Sequence, residues 1–83
     1  MVTPESIKTS IAAGLDCVHL DVRGDGHHWE AVIVSPAFEG LPKVRQHQLV
    51  YAALGDRMRE EVHALSMTTL TPAQWAAQRT DKR

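Results

Sequence analysis

Apolar residues first recur at helical spacing. Ile7, Ile11 and Leu15 fall at i, i+4 and i+8, one stripe of a helix. Thr3-Pro4 opens it, because a threonine hydroxyl can accept from an unpaired backbone N–H and proline suits the first turn. Gly14 is a natural terminator. The period then falls to two. Val18, Leu20 and Val22 alternate with Cys17, His19, Asp21 and Arg23, which predicts a strand from Cys17 to Arg23 with one wet face. Gly24-Asp25-Gly26 marks a turn. Trp29 to Val34 is a second, more apolar and hence more central strand, and the short connection makes a hairpin.

Ser35-Pro36 breaks the pattern, and Phe38 to Pro42 is a loop with two apolar anchors. From Lys43 to about Val62 the period is helical again, with Val44, His47, Tyr51, Leu54, Met58 and Val62 on one stripe. Twenty such residues span about 30 Å, enough to cover a small sheet. Gly55 costs that helix about 1 kcal/mol relative to alanine, which calls for either a packing reason or a bend. His63 to Thr69 predicts a third strand. Thr71-Pro72-Ala73-Gln74 is a capping box, opening a last helix that carries Trp75 and runs to about Arg79. The order predicts a single α+β domain over residues 1–83, with residues 79–83 as a frayed tail. It is a two-layer αββαβα arrangement, a three-stranded mixed sheet with the helices on one face.

Composition narrows the function classes. The chain has 83 residues, 9 Lys+Arg against 10 Asp+Glu, and a formal net charge of −1. That size fits one domain with a modest core, and that balance argues against a strong generic nucleic-acid binder. No apolar run is long enough for a membrane span, and MVTPESIK lacks the layout of a secretory signal. The one cysteine, Cys17, has no intramolecular disulfide partner, so a reducing, cytoplasmic setting is expected.

Histidine is the distinctive residue, five in all. His27 and His28 follow the glycine turn, where loop imidazoles are available as ligands or proton carriers. His63 stands where the long helix gives way to the third strand. His47 lies on the apolar stripe of the helix and reads as structural, while His19, on the wet face of the first strand, is given no role. Nothing basic adjoins Cys17 to lower its thiol pKa. There is no Gly-x-Ser-x-Gly elbow, no phosphate-cradling loop before a helix and no His-Glu-x-x-His. Glu60-Glu61 point about 100° apart on a helix and form no carboxylate dyad. A binding or assembly module is therefore expected, not an enzyme. Imidazoles from the hairpin tip and the third strand's start would supply two metal ligands, leaving a partner to complete the shell.

The segment FEGLPKVRQHQLVY (Phe38 to Tyr51), followed by VHALSMTTLTPAQW (Val62 to Trp75), resembles the BolA-like family. The resemblance rests on Phe-x-Gly, a histidine and then an aromatic at set spacing, Val-His-Ala-Leu and Thr-Pro-x-x-Trp. With the hairpin before His28 it spans nearly the whole chain, and it looks like the subgroup with a histidine in that loop. It implies a fold related to class II KH domains. It also implies a partner, a monothiol CGFS-type glutaredoxin, with which a [2Fe-2S] cluster is shared. The glutaredoxin cysteine and a glutathione thiol ligate one side of the cluster. His63 matches the family's C-terminal-region histidine, and His28 matches its loop ligand, with His27 as a substitute. No cofactor is then expected in the isolated protein, which would be a monomer or weak homodimer. The alternative the resemblance carries is a KH-like DNA-binding transcriptional regulator using Lys43 and Arg45. Against it, Gln46 stands where many members have Arg, and Gly40-Leu41-Pro42-Lys43 lacks the second glycine of a Gly-x-x-Gly clamp.

Overall fold

The computed structural model describes residues 3–25, 27–61 and 65–81. Helix α1 (Pro4–Gly14) leads to strands β1 (His19–Gly24) and β2 (Trp29–Val34). A 3₁₀ turn (Pro36–Phe38) then precedes α2 (Lys43–Glu61), β3 (Leu65–Leu70) and α3 (Pro72–Asp81). Both expected helix starts form as reciprocal caps. Thr3 Oγ1 accepts from the Ser6 N–H while Ser6 Oγ accepts from the Thr3 N–H. Thr71 and Gln74 do the same for α3, so each pair satisfies two otherwise unpaired backbone donors.

The sheet order is β1-β2-β3. β1 and β2 are antiparallel, with Gly24 opposite Trp29 and His19 opposite Val34. β2 and β3 are parallel, with Trp29 beside Leu65 and Val34 beside Leu70. A parallel pair needs a crossover, and α2 provides it. The sheet therefore has two distinct ends. At one, the hairpin turns and both β2 and β3 begin; at the other, β2 and β3 finish and α2 starts.

The registers sort the side chains. Leu20, Val22, Trp29, Ala31, Ile33 and Met67 share one face and join Ile7, Ile11, Val50 and Leu54 in the apolar core under α1 and α2. The opposite face carries His19, Val34 and Leu70 at one end and Asp21, Arg23, Glu30 and Ser66 toward the hairpin. Trp75 of α3 stacks on His19, ring centroids 4.4 Å apart and 17° from parallel. The fold class is as expected, but only α1 and α2 share a face. The third helix packs across the back, where buried Val34 and Leu70 need cover.

Three further expectations are corrected, the first being the tail: α3 runs on to Asp81 instead of fraying from residue 79. The first strand starts at His19, not Cys17, and Val18 is 61% exposed. The Val18 N–H still reaches β2, donating to the Val34 carbonyl at 2.8 Å, and the Ser35 hydroxyl donates to the Asp16 carbonyl just before it. Among the described side chains the buried row of α2 is Gln46, Val50 and Leu54, while Val44 is 62% exposed and His47 and Tyr51 are half-buried. The expected stripe was displaced because a polar residue occupies a core position. Gly55 resolves as a bend: its φ of 82° and ψ of 162° interrupt the helix, and a side chain there would meet nothing within 4 Å. Such a φ favours glycine. The expected end of this helix at Val62 and the expected start of the third strand at His63 lie outside the described residues.

Candidate ligand site at the hairpin tip

The hairpin tip is organised by one carboxylate. Asp25 Oδ1 accepts from the backbone N–H groups of His27 (2.8 Å) and His28 (2.9 Å). The Asp25 N–H in turn donates to the His28 carbonyl at 3.2 Å. This is the local side-chain-to-backbone bonding by which aspartate builds turns. Those two N–H bonds, His28 first, hold the Asp25 carboxyl below the ordinary carboxylate range. The charged form is the one that accepts both.

Gly24 closes the tip from the other side. A Cβ there would lie 2.3 Å from Trp29 Cε3 and 2.6 Å from the His28 carbonyl oxygen. The indole of buried Trp29 thus lies where any side chain at 24 would go, which fixes the approach of the two strands just below the histidines.

His27 and His28 are both exposed. Among the described residues, neither ring takes part in a hydrogen bond or ion pair, and their backbones, not their rings, are held. His28 lines a shallow concavity of about 410 Å³ with Arg23, Gly24, Asp25 and Glu30. Of these, only His28 was a candidate from the sequence. Asp25 could have been found, since an Asp between glycines in a turn reads as a backbone acceptor. Arg23 and Glu30 join only through the β1–β2 register. His63 lies outside the described residues. Leu65, two residues beyond it, is the register partner of Trp29, the residue after His28.

The remaining candidates stand elsewhere. Cys17 precedes β1 at the far end of the sheet. Its Sγ contacts the Leu15 carbonyl at 3.4 Å, and burial, with Asp16 nearby, raises its thiol pKa. A raised pKa keeps it a thiol, a poor metal ligand. Lys43 and Arg45 also lie at the far end. The Lys43 ammonium donates to the Thr69 carbonyl and, at 3.4 Å, contacts Thr69 Oγ1. Arg45 is exposed and lines a second concavity of about 340 Å³ with Leu41, Gln48 and Leu49. Gln46 is 4% exposed. Its amide donates to the carbonyls of Leu41 (2.8 Å) and Phe38 (3.3 Å) and accepts from the Thr69 hydroxyl at 2.6 Å. The sequence reading missed this buried network.

What the structure defines is a small α+β domain with a three-stranded mixed sheet and an exposed, histidine-bearing hairpin. The chain belongs to the BolA-like protein family, whose pattern matches residues 2–74. It is 40% identical to Protein BOLA2 of Arabidopsis thaliana, over 90% of this chain and 85% of that one. It is 38% identical to the DNA-binding transcriptional regulator BolA of Haemophilus influenzae, over 74% of this chain. The chain spans only 59% of the length of that relative and of the bovine BolA-like protein 1. Among solved structures, it superposes on a bol-like protein from Babesia bovis with a TM-score of 0.83 at 30% identity, over 95% of each chain. The bolA homologue of Coxiella burnetii gives 0.77 at 44% identity, over 92% of this chain and 99% of that one. The BolA domain of SufE1 from A. thaliana gives 0.72 at 33% identity, over 84% and 92%.

Proposed function

We propose that this protein is a non-catalytic adaptor that shares a [2Fe-2S] cluster with a monothiol CGFS-type glutaredoxin and glutathione. The cluster is its cargo. His63 and His28 supply imidazole nitrogens on one side of the iron pair, with His27 able to replace His28. The partner's cysteine and the glutathione thiol complete the other side. Neutral imidazoles in place of thiolates make the cluster less negative and raise its potential, as the histidines of a Rieske centre do.

One observation carries this reading: the parallel register that sets Trp29 beside Leu65. Adjacent strands lie about 4.8 Å apart, and a two-residue tether reaches no more than about 7.6 Å. Trp29 and Leu65, which follow His28 and His63 in the sequence by one and two positions, thus lie side by side, although 36 positions separate them in the sequence. Support also comes from the exposure of His27 and His28 and from the lack of a thiolate at this end. Occurrence of the same fold as a domain of SufE1 fits a unit that works alongside another protein.

Adding the protein to cluster-loaded glutaredoxin should change the visible absorption and circular dichroism of the cluster. His63→Ala should abolish most of that change, and the double variant His27→Ala/His28→Ala should alter it. A His63→Ala variant whose spectra match the parent's removes the ligand assignment.

A second reading has one observation in its favour, the name of the Haemophilus relative as a DNA-binding regulator. It would use the far end of the sheet, through Arg45, since Lys43 is turned onto Thr69. It predicts DNA affinity that falls with salt by roughly one unit of log–log slope per phosphate contact and that is weakened by Arg45→Glu. No mobility shift at low salt removes it.

A further inference from the structure

Strand β1 is an edge. It pairs with β2 on one side, and among the described residues no strand pairs with the other. Its hydrogen-bonding parity is fixed twice over. The Asp25 N–H donates to the His28 carbonyl, which makes 25/28 a bonded pair. In an antiparallel ladder bonded pairs recur every second residue, so His19, Asp21 and Arg23 aim their backbone groups at β2. Independently, the Ser35 N–H donates to Leu70 on β3, so Val34, Val32 and Glu30 face β1. Leu20, Val22 and Gly24 therefore present their N–H and C=O groups outward, away from the sheet.

Such an edge is a template for another strand. This one has no proline and no lysine to blunt it. We infer that β1 pairs antiparallel with β1 of a second copy about a two-fold axis at Val22, joining two three-stranded sheets into one. Charge selects the register. A symmetric antiparallel pair that keeps side chains on their own faces can shift only in steps of two. A shift to one side sets Asp21 directly opposite Asp21 of the second copy. A shift to the other sets Arg23 opposite Arg23. Like charges directly opposite are destabilising. The register between them sets Val22 opposite Val22 and Asp21 opposite Arg23, twice by symmetry.

Within one chain Arg23 and Asp21 already form an ion pair at 3.3 Å with both side chains well exposed. Exchanging that contact for the one between copies gives up little, because exposed pairs contribute little. Five residues per edge bury less area than a stable dimer needs, so the association is weak and concentration-dependent. In this arrangement the two hairpin tips lie at opposite ends of the joined sheet, so the dimer leaves His27 and His28 of each copy open.

Sedimentation velocity of the full chain from about 10 μM to about 1 mM tests this. The weight-average mass should rise toward a dimer. Asp21→Arg should reduce the association at least tenfold, and Asp21→Arg/Arg23→Asp should restore it, both variants keeping the parent's far-ultraviolet circular dichroism. A parent that stays monomeric throughout overturns the inference. So does association unchanged by Asp21→Arg, or a double variant that fails to recover it.

Discussion

Where β2 and β3 finish, Gln46, Thr69 and Lys43 tie the first turn of α2, the loop at Phe38–Leu41 and the end of β3 into one network. Where the same strands begin, about 17 Å away along six residues, a single exposed carboxylate orders the backbone while two imidazoles stand in solvent. Both ends use side-chain-to-backbone hydrogen bonds. One buries them, where each contributes more and each loss costs more. The other leaves them wet, with chemically competent groups unspent. Rigidity at one end and available ligands at the other is how a fold this small can hold itself together and still offer a site.

Mutations should separate the two ends. Phe38→Ala, at a fully buried side chain of the network end, should cost about 3–5 kcal/mol in urea unfolding. Gln46→Ala leaves the carbonyls of Phe38 and Leu41 and the Thr69 hydroxyl short of a partner. It should cost about 2–4 kcal/mol and leave the cluster spectra of the surviving folded protein unchanged. At the tip, Gly24→Val drives a side chain into Trp29 and the His28 carbonyl. Its cost of about 1–3 kcal/mol should come with altered cluster spectra. A Gln46→Ala variant that changes those spectra as much as Gly24→Val does would erase the distinction between the ends.

The smallest effect is a titration. Asp25 has a lowered folded-state pKa, so its stabilisation of the loop is present above the ordinary carboxylate range and is lost as pH falls through the lowered folded value. The backbone N–H resonances of His27 and His28 should shift together over that acid range. Asp25→Asn should abolish the shift, and an unmoved pair of resonances would detach the carboxylate from the loop.

The pattern of the chain made most of the scaffold legible: both caps, the hairpin, the crossover helix and the mixed sheet. It failed where a polar residue does a core residue's job. Gln46 looks like surface in any hydropathy count, and only the backbone carbonyls it serves, brought close by the turn at Phe38–Leu41, make burial favourable. His19 looked idle because its partner, Trp75, is 56 positions away in the sequence and reaches it only across the back of the sheet. The hydropathy of α3 does not say which face it will cover. At the site, exposure of His27 and His28 followed from the turn chemistry. The neighbours Arg23 and Glu30 did not, because their convergence depends on a register that no short stretch of sequence encodes.

The central claim is that imidazole nitrogen from this end of the sheet reaches iron. Pulsed electron paramagnetic resonance of the reduced complex with glutaredoxin, with this protein's histidines labelled with ¹⁵N, reads that bond directly. Strong ¹⁵N couplings that are lost in part in His63→Ala and altered in His27→Ala/His28→Ala are the predicted result. A spectrum without histidine nitrogen coupling, from a complex whose binding is intact, would contradict it.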